Sequence, residues 1–122
     1  MFPSVLIIDS DQPSVKLERM VLESEGWGVL HAAGSEQARV LLKGFRPDLI
    51  ITAFVPPRDA ALAAVRELTA LARDVPIVAV TALDGPETEY QARAAGCAGY
   101  MSKPIDISTF SAQLRTYLGA DR

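Results

Sequence analysis

Short apolar runs recur along this chain and alternate with longer segments of helical periodicity. The runs occupy residues 5–9, 28–32, 49–53, 77–81 and 99–102. Several of them contain hardly any polar alternation, which is typical of strands that are buried on both faces. Strands of this kind are joined by helices that cover both sides of a parallel sheet. The pattern therefore predicts an α/β fold, a doubly wound (βα)5 unit built on a five-stranded parallel sheet.

The length and composition of the chain support one globular domain. Its 122 residues are 49% hydrophobic and 22% charged. A domain of this size removes roughly two-thirds of its unfolded surface from water. Intrinsic disorder requires a lower hydrophobicity and a higher net charge. We expect a single domain over residues 1–122.

Charge, cysteine content and hydropathy exclude several classes of protein. Twelve Lys and Arg residues against fifteen Asp and Glu residues give a net charge of −3, and no basic stripe follows a nucleic-acid backbone. The single cysteine, Cys97, allows neither an internal disulfide nor a zinc cluster, and its setting is typical of a small buried thiol. His31 has no second ligand at metal-binding spacing and is assigned no role. No apolar segment approaches the ~18 residues of a membrane span, and residues 1–4 lack the basic start of a signal peptide. We expect a cytoplasmic protein that binds neither nucleic acid nor membrane.

Residues that are typical of helix starts and helix ends lie between the apolar runs. In the first helical segment Pro13 suits the first turn and Gly26 a left-handed stop. The third helix is predicted at about residues 60–72, and the fifth is predicted to be capped at Asp106 or Ser108. The buried stripe of the first helix is predicted at Leu17, Met20, Val21 and Ser24.

Functional groups of a doubly wound sheet gather outside the carboxyl ends of its strands. In this chain those ends carry acids, hydroxyl groups and one lysine. They read Asp9-Ser10-Asp11, Ala53-Phe54-Val55, Thr81-Ala82 and Ser102-Lys103-Pro104.

Four segments, taken in order, resemble the motifs of one family. Residues 5–9 are similar to a first strand that runs into an acidic pair, residues 46–50 to the lead into a phosphoacceptor strand, and residues 80–82 to a strand that ends in a hydroxyl residue. Residues 96–105 are similar to a fifth-strand signature that ends in Lys-Pro. Together they resemble the receiver domain of two-component response regulators, the CheY-like family with a flavodoxin-like fold, and above all the stand-alone receivers of the DivK type. The resemblance covers essentially all of the chain. It implies the strand order 2-1-3-4-5 and a cis peptide bond before Pro104.

The resemblance also implies a chemistry that this chain lacks. In the family, a histidine kinase supplies a phosphoryl group to an aspartate at the end of the third strand, with Mg²⁺ held by that aspartate, an upstream acid and a main-chain carbonyl. Here Ala53 stands at the phosphoacceptor position and Ser10 at the second position of the acidic pair. A methyl group offers no lone pair to a phosphoryl group. The positions of Asp9, Thr81 and Lys103 match the family pattern.

Asp9 is therefore expected to lie near Lys103 without the two carboxylates that the family places beside it. Mg²⁺ is usually held by one or two carboxylates together with phosphate oxygens. Opposite unit charges ~4 Å apart attract by about 4 kcal/mol at an effective dielectric near 20. We expect an ion pair between Asp9 and Lys103, the loss of Mg²⁺ binding, and no other cofactor.

The leading functional hypothesis is a phosphorylation-independent protein-interaction module of bacterial two-component signalling, which is not an enzyme. The resemblance implies histidine kinases, phosphotransferases or downstream effectors as partners, and a monomer or weak dimer. It assigns Tyr100 as the switch aromatic residue. The family's binding face on helix four, strand five and helix five would here present Glu87, Tyr90, Arg93, Tyr100, Met101 and Arg115.

Two alternatives remain open. In the first, the domain is still a phospho-receiver and uses a substitute acceptor, namely Asp59, Asp11, Thr52 or Ser10. In the second, it is a small flavodoxin-like cofactor binder. The second alternative is weaker, because the loop after the first strand is acidic and free of glycine, which is unsuited to cradling phosphate.

Overall fold

Strands and helices alternate along the whole of the chain that the structure describes. The structure is a computed structural model that describes residues 2–82 and 85–118. The elements are β1 (Ser4–Ile8), α1 (Gln12–Ser24), β2 (Gly28–Ala32), α2 (Ser35–Gly44), β3 (Leu49–Ala53), α3 (Arg58–Leu71), β4 (Ile77–Thr81), α4 (Pro86–Ala95), β5 (Gly99–Ser102) and α5 (Phe110–Arg115).

The five strands form one parallel sheet in the order β2-β1-β3-β4-β5. This confirms the predicted doubly wound architecture and the strand order implied by the resemblance. Helices α2, α3 and α4 cover one face, where Leu6 and Ile50 lie in the core. Helices α1 and α5 cover the other face, where Ile7 and Leu49 lie. Alternate residues of each buried strand thus enter two separate cores, which explains the continuous apolar runs. None of the described helices is long and apolar enough to cross a bilayer.

The prediction for the buried face of α1 was wrong for most of its residues, although Val21 packs against the core at the edge of that face. The helix buries Val15, Glu18 and Leu22, while Met20 is 60% exposed. These three residues are spaced by three and four, so they form one helical stripe. The sequence offers apolar residues on two adjacent stripes, and packing against the sheet selects the one that contains a glutamate.

Two other helix boundaries differ from their predictions. Helix α3 begins at Arg58, earlier than predicted, because Pro57 takes an extended backbone just before it. Helix α5 begins at Phe110, with neither Asp106 nor Ser108 at its cap. The Asp106 carboxylate instead accepts hydrogen bonds from the amide and hydroxyl of Ser108, and so it stabilises the turn that precedes the helix. The predicted left-handed stop at Gly26 is confirmed, with φ at +90°.

Candidate functional site

The carboxyl ends of the strands bring most of the predicted site residues to one edge of the sheet. Ala53 ends β3 and Thr81 ends β4, while Asp9 and Lys103 directly follow β1 and β5. The strand register pairs Ala53 with Val80 and Thr81 with Ser102. A cavity of about 280 Å³ opens at this edge, and its lining includes Asp9, Ser10, Thr52 and Ala53.

Asp9 and Lys103 form the ion pair that the sequence predicted. The Nζ of Lys103 donates a hydrogen bond of 3.0 Å to Oδ2 of Asp9. The other oxygen of Asp9 accepts the backbone N–H of Asp11 at 2.9 Å. The Asp9 side chain is 6% exposed and that of Lys103 is 18% exposed. Because the pair is largely withdrawn from water, solvent screens its attraction less than that of a surface pair.

The peptide bond between Lys103 and Pro104 is cis, as the resemblance implied, and the bond between Pro56 and Pro57 is also cis. The second cis bond was not predicted from the sequence.

Glu18 is the residue that the sequence analysis missed. It projects from α1, is only 2% exposed, and its Oε1 has no hydrogen-bond partner. Burial raises the pKa of Glu18 to about 7, with a further rise from the negative charge of Asp9 and an opposing effect of Lys103. Its position between Val15 and Leu22 is the sequence signal that would have placed it on the buried stripe.

The donor set at the strand ends does not match Mg²⁺. Asp9 already binds Lys103, Ala53 supplies no side-chain oxygen, and Ser10 is exposed. Magnesium requires a near-octahedral set of oxygen ligands. Within residues 2–82 and 85–118, no three His, Cys, Asp or Glu side chains are grouped as a metal ion would need.

The hydroxyl of Thr81 links β4 to the segment after β3. Thr81 is buried, and its Oγ1 donates a hydrogen bond to the backbone oxygen of Phe54. The amide of Phe54 in turn donates to the oxygen of Val80 at 3.1 Å. Farther along the same segment, Arg58 donates to Oγ1 of the buried Thr88 on α4 at 3.1 Å. These bonds hold the connection between β3 and α3 against the neighbouring strand and helix.

The predicted binding face contains exposed and anchored side chains. Tyr90 of α4 is 74% exposed. Arg93 is engaged with Glu89 at 3.0 Å and with the backbone oxygen of Ala98 at 2.8 Å. Tyr100 and Met101 lie on the edge strand β5 and pack against the cores on opposite faces of the sheet.

Arg115 does not belong to that face. Its guanidinium lies 5.3 Å from the centroid of the Trp27 ring and donates to the backbone oxygen of Glu25 at 3.2 Å. Stacking on an aromatic ring and a carbonyl at the end of α1 draws the side chain toward α1. The assignment of Arg115 to the α4–β5–α5 face was therefore wrong.

The substitute phosphoacceptors have different surroundings. Asp59 is exposed in the first turn of α3, and Ser10 is exposed after β1. The carboxylate of Asp11 accepts a hydrogen bond from Ser14, and Thr52 is buried. Only the carboxylates in this set offer the group that forms an acyl phosphate.

Two further side chains were assigned no chemistry from the sequence. Cys97 is buried as expected, and burial raises the pKa of its thiol to about 11. His31 lies on β2 with Nε2 2.8 Å from the backbone oxygen of Asp9.

Comparison with known proteins decides the family. The model of the response regulator receiver domain matches residues 5–115. This chain belongs to the response regulator receiver domain family. Over 95% of its length, this receiver domain is 31% identical to the polar-differentiation response regulator DivK of Brucella anthropi, of which the alignment covers 96%. Receiver domains are signalling modules, and the resemblance to stand-alone receivers of the DivK type is thereby confirmed.

Solved structures agree with this assignment. A response regulator from Thermotoga maritima superposes with a TM-score of 0.90 at 18% identity, over 96% of this chain and 98% of that one, which is a likeness of fold. The receiver domain of a sensor histidine kinase from Pseudomonas aeruginosa, described with a magnesium ion coordinated in its active-site cleft, superposes with a TM-score of 0.82 at 25% identity. That alignment covers 98% of this chain and 100% of the Pseudomonas domain.

Proposed function

We propose that this receiver domain is a phosphorylation-independent interaction module of two-component signalling. The observation that carries the proposal is the methyl group of Ala53 at the end of β3, beside a buried carboxylate that is already neutralised by Lys103. An acyl phosphate forms only when a carboxylate attacks the incoming phosphoryl group. At the position where the family carries that carboxylate, this chain has no side-chain oxygen.

The loss of Mg²⁺ binding is part of the same proposal. The Pseudomonas relative is described with magnesium in its cleft. At the positions where the family carries its site acids, only the carboxylate of Asp9 remains in this chain, and Lys103 already binds it at 3.0 Å. A divalent cation would have to displace that ammonium group and then complete its coordination without the carboxylates that replace water in a typical site.

The contacts around Thr81 are formed within the protein itself. In the family, the hydroxyl at this position responds to the phosphoryl group. Here it bonds to Phe54, while Arg58 bonds to Thr88. Both bonds form between groups of the protein itself, so the connection after β3 is held in place without a phosphoryl group.

Binding would then be the output of the domain. Tyr90 is exposed on α4 and Tyr100 is half-buried on the edge strand β5, and aromatic residues are enriched in protein interfaces. We propose a histidine kinase, a phosphotransferase or a downstream effector as the partner of a cytoplasmic monomer or weak dimer. In this role the domain catalyses no reaction.

Intact-mass spectrometry tests the proposal directly. The protein is incubated with a small-molecule phosphodonor and Mg²⁺, and the double variant Ser10→Asp with Ala53→Asp serves as a matched positive control. We expect a phosphoryl adduct on the variant and none on the parent chain. An adduct on the parent at Asp59, Asp11, Thr52 or Ser10 would instead establish a phospho-receiver with a substitute acceptor.

A further inference from the structure

A second cavity lies between α1 and the segment that follows β5. Its volume is about 360 Å³, and Leu17, Glu18, Lys103, Pro104 and Ile105 contribute to its lining. We call it the α1 cavity. Apart from Glu18, Lys103 and Ser14, the lining residues are apolar. One carboxyl group and one ammonium group therefore line the same mainly apolar cavity.

The buried carboxyl group of Glu18 has one oxygen that forms no hydrogen bond. Glu18 is 2% exposed, and its Oε1 has no hydrogen-bond partner. A buried carboxylate without a partner carries a large desolvation cost, whereas the neutral acid carries a much smaller one. Glu18 is therefore expected to keep its proton at a pH where an ordinary glutamate is ionised, and its pKa is raised to about 7.

Three charged groups act on Glu18. Asp9, at the end of β1, and Asp11, in the connection to α1, both disfavour its ionised form, and Lys103 favours it. Lys103 at the same time donates to Asp9 at 3.0 Å. An ammonium group has three N–H donors on a flexible stem, so it can serve two carboxylates or move between them.

We propose that Lys103 is shared between Asp9 and Glu18, and that loss of the Glu18 proton to water draws the ammonium group away from Asp9 and into the α1 cavity. While Glu18 is neutral, Lys103 stays bound to Asp9 at the carboxyl ends of the strands. Once Glu18 is ionised, a second carboxylate competes for the same cation, and Asp9 is uncovered at the strand ends. The charge pattern next to α1 then changes near neutral pH without any phosphoryl transfer. The proposal is independent of whether another residue accepts phosphate.

Nuclear magnetic resonance of the isotope-labelled full chain tests the exchange. The carboxyl carbon of Glu18 and the Nζ of Lys103 are followed as pH is raised. We expect the Glu18 signal to titrate with a midpoint near 7 and the Lys103 signal to shift with the same midpoint. A Glu18 midpoint in the ordinary glutamate range would overturn the proposal, as would a Lys103 signal that stays constant through the transition.

Variants separate the exchange from a general effect of pH. In Glu18→Gln, which is nearly isosteric and does not ionise, the Lys103 shift should disappear. In Glu23→Gln, on the exposed side of the same helix, it should persist. Asp9→Asn removes both a repulsive charge and the competitor for Lys103, so the Glu18 midpoint should fall. A Lys103 shift that survives Glu18→Gln, or a midpoint that stays unchanged in Asp9→Asn, contradicts the proposal.

Discussion

Lys103 donates a hydrogen bond to Asp9 across the carboxyl edge of the sheet, although 94 positions separate the two residues in the chain. The contact exists because β1 and β5 run parallel and end at the same edge. In this receiver domain the two residues form a directly hydrogen-bonded ion pair, and Asp9 lines the same cavity as Ala53.

Removal of the lysine should destabilise the fold more than removal of a surface lysine. Lys103→Met leaves the carboxylate of Asp9 buried and unpaired, for which we expect a loss of about 3 kcal/mol in the free energy of unfolding. The matched control is Lys43→Met on the exposed surface of α2, where the change should stay within ~0.5 kcal/mol. Urea denaturation measures both. Equal effects of the two substitutions would show that the ion pair contributes nothing.

Restoring carboxylates at positions 10 and 53 should restore Mg²⁺ binding and should lower the stability of the metal-free protein. Ser10→Asp with Ala53→Asp crowds three carboxylates at the strand ends, and repulsion among them should lower the melting temperature without metal. Magnesium at about 100 times its dissociation constant should then add ~2.7 kcal/mol of stability. The control Ser10→Asn with Ala53→Asn has similar side-chain size without the charges. A melting temperature that ignores Mg²⁺ in the aspartate variant would refute the prediction.

Glu18 should make stability fall as pH rises. Its pKa is raised from 4.5 to about 7, so the folded state binds a proton more tightly than the unfolded state does. This contribution is fully present below the unfolded pKa and is lost as pH rises through the folded pKa. Between about pH 4.5 and 7 the loss amounts to up to ~3 kcal/mol.

Chemical denaturation at about pH 5 and pH 8 measures most of that loss. Glu18→Gln should be less sensitive to pH than the parent, whereas Glu23→Gln should retain the parent's dependence. If Glu18→Gln shows the same decline as the parent, Glu18 is not the titrating group.

Tyr90 should contribute to partner binding but not to folding. Its side chain is 74% exposed on α4, so Tyr90→Ala should change the free energy of unfolding by less than ~0.5 kcal/mol. A tyrosine that is a hot spot of an interface accounts for about 2 kcal/mol of binding or more. Immobilised parent and variant chains are compared for capture of two-component proteins from the native cell. Val40→Ala, a 65% exposed side chain on α2, is the control. Equal capture by Tyr90→Ala and the parent would move the interface away from α4.

Some features could be predicted from the residues because they depend on local patterning. Continuous apolar runs such as 49–53 are typical of strands that are buried between two layers of helices. The doubly wound sheet could therefore be predicted from the sequence. The pair between Asp9 and Lys103 was predictable because both residues belong to motifs at strand ends. The buried face of α1 was not predictable in this way. Apolar residues occur on adjacent stripes of the helix, and the sequence pattern alone did not distinguish the stripe of Leu17 and Val21 from that of Val15 and Leu22.

The chemistry missing at Ala53 is a property of the sequence, since a methyl group is no nucleophile in any fold. The state of Glu18 was decided by the tertiary structure. A glutamate on an isolated helix would be solvated and ionised. Here α1 packs against the sheet beside the segment after β5, which removes water from the carboxyl group and brings Asp9 and Lys103 near it. Desolvation and long-range charge depend on what surrounds a residue in space, and only the folded chain specifies those surroundings.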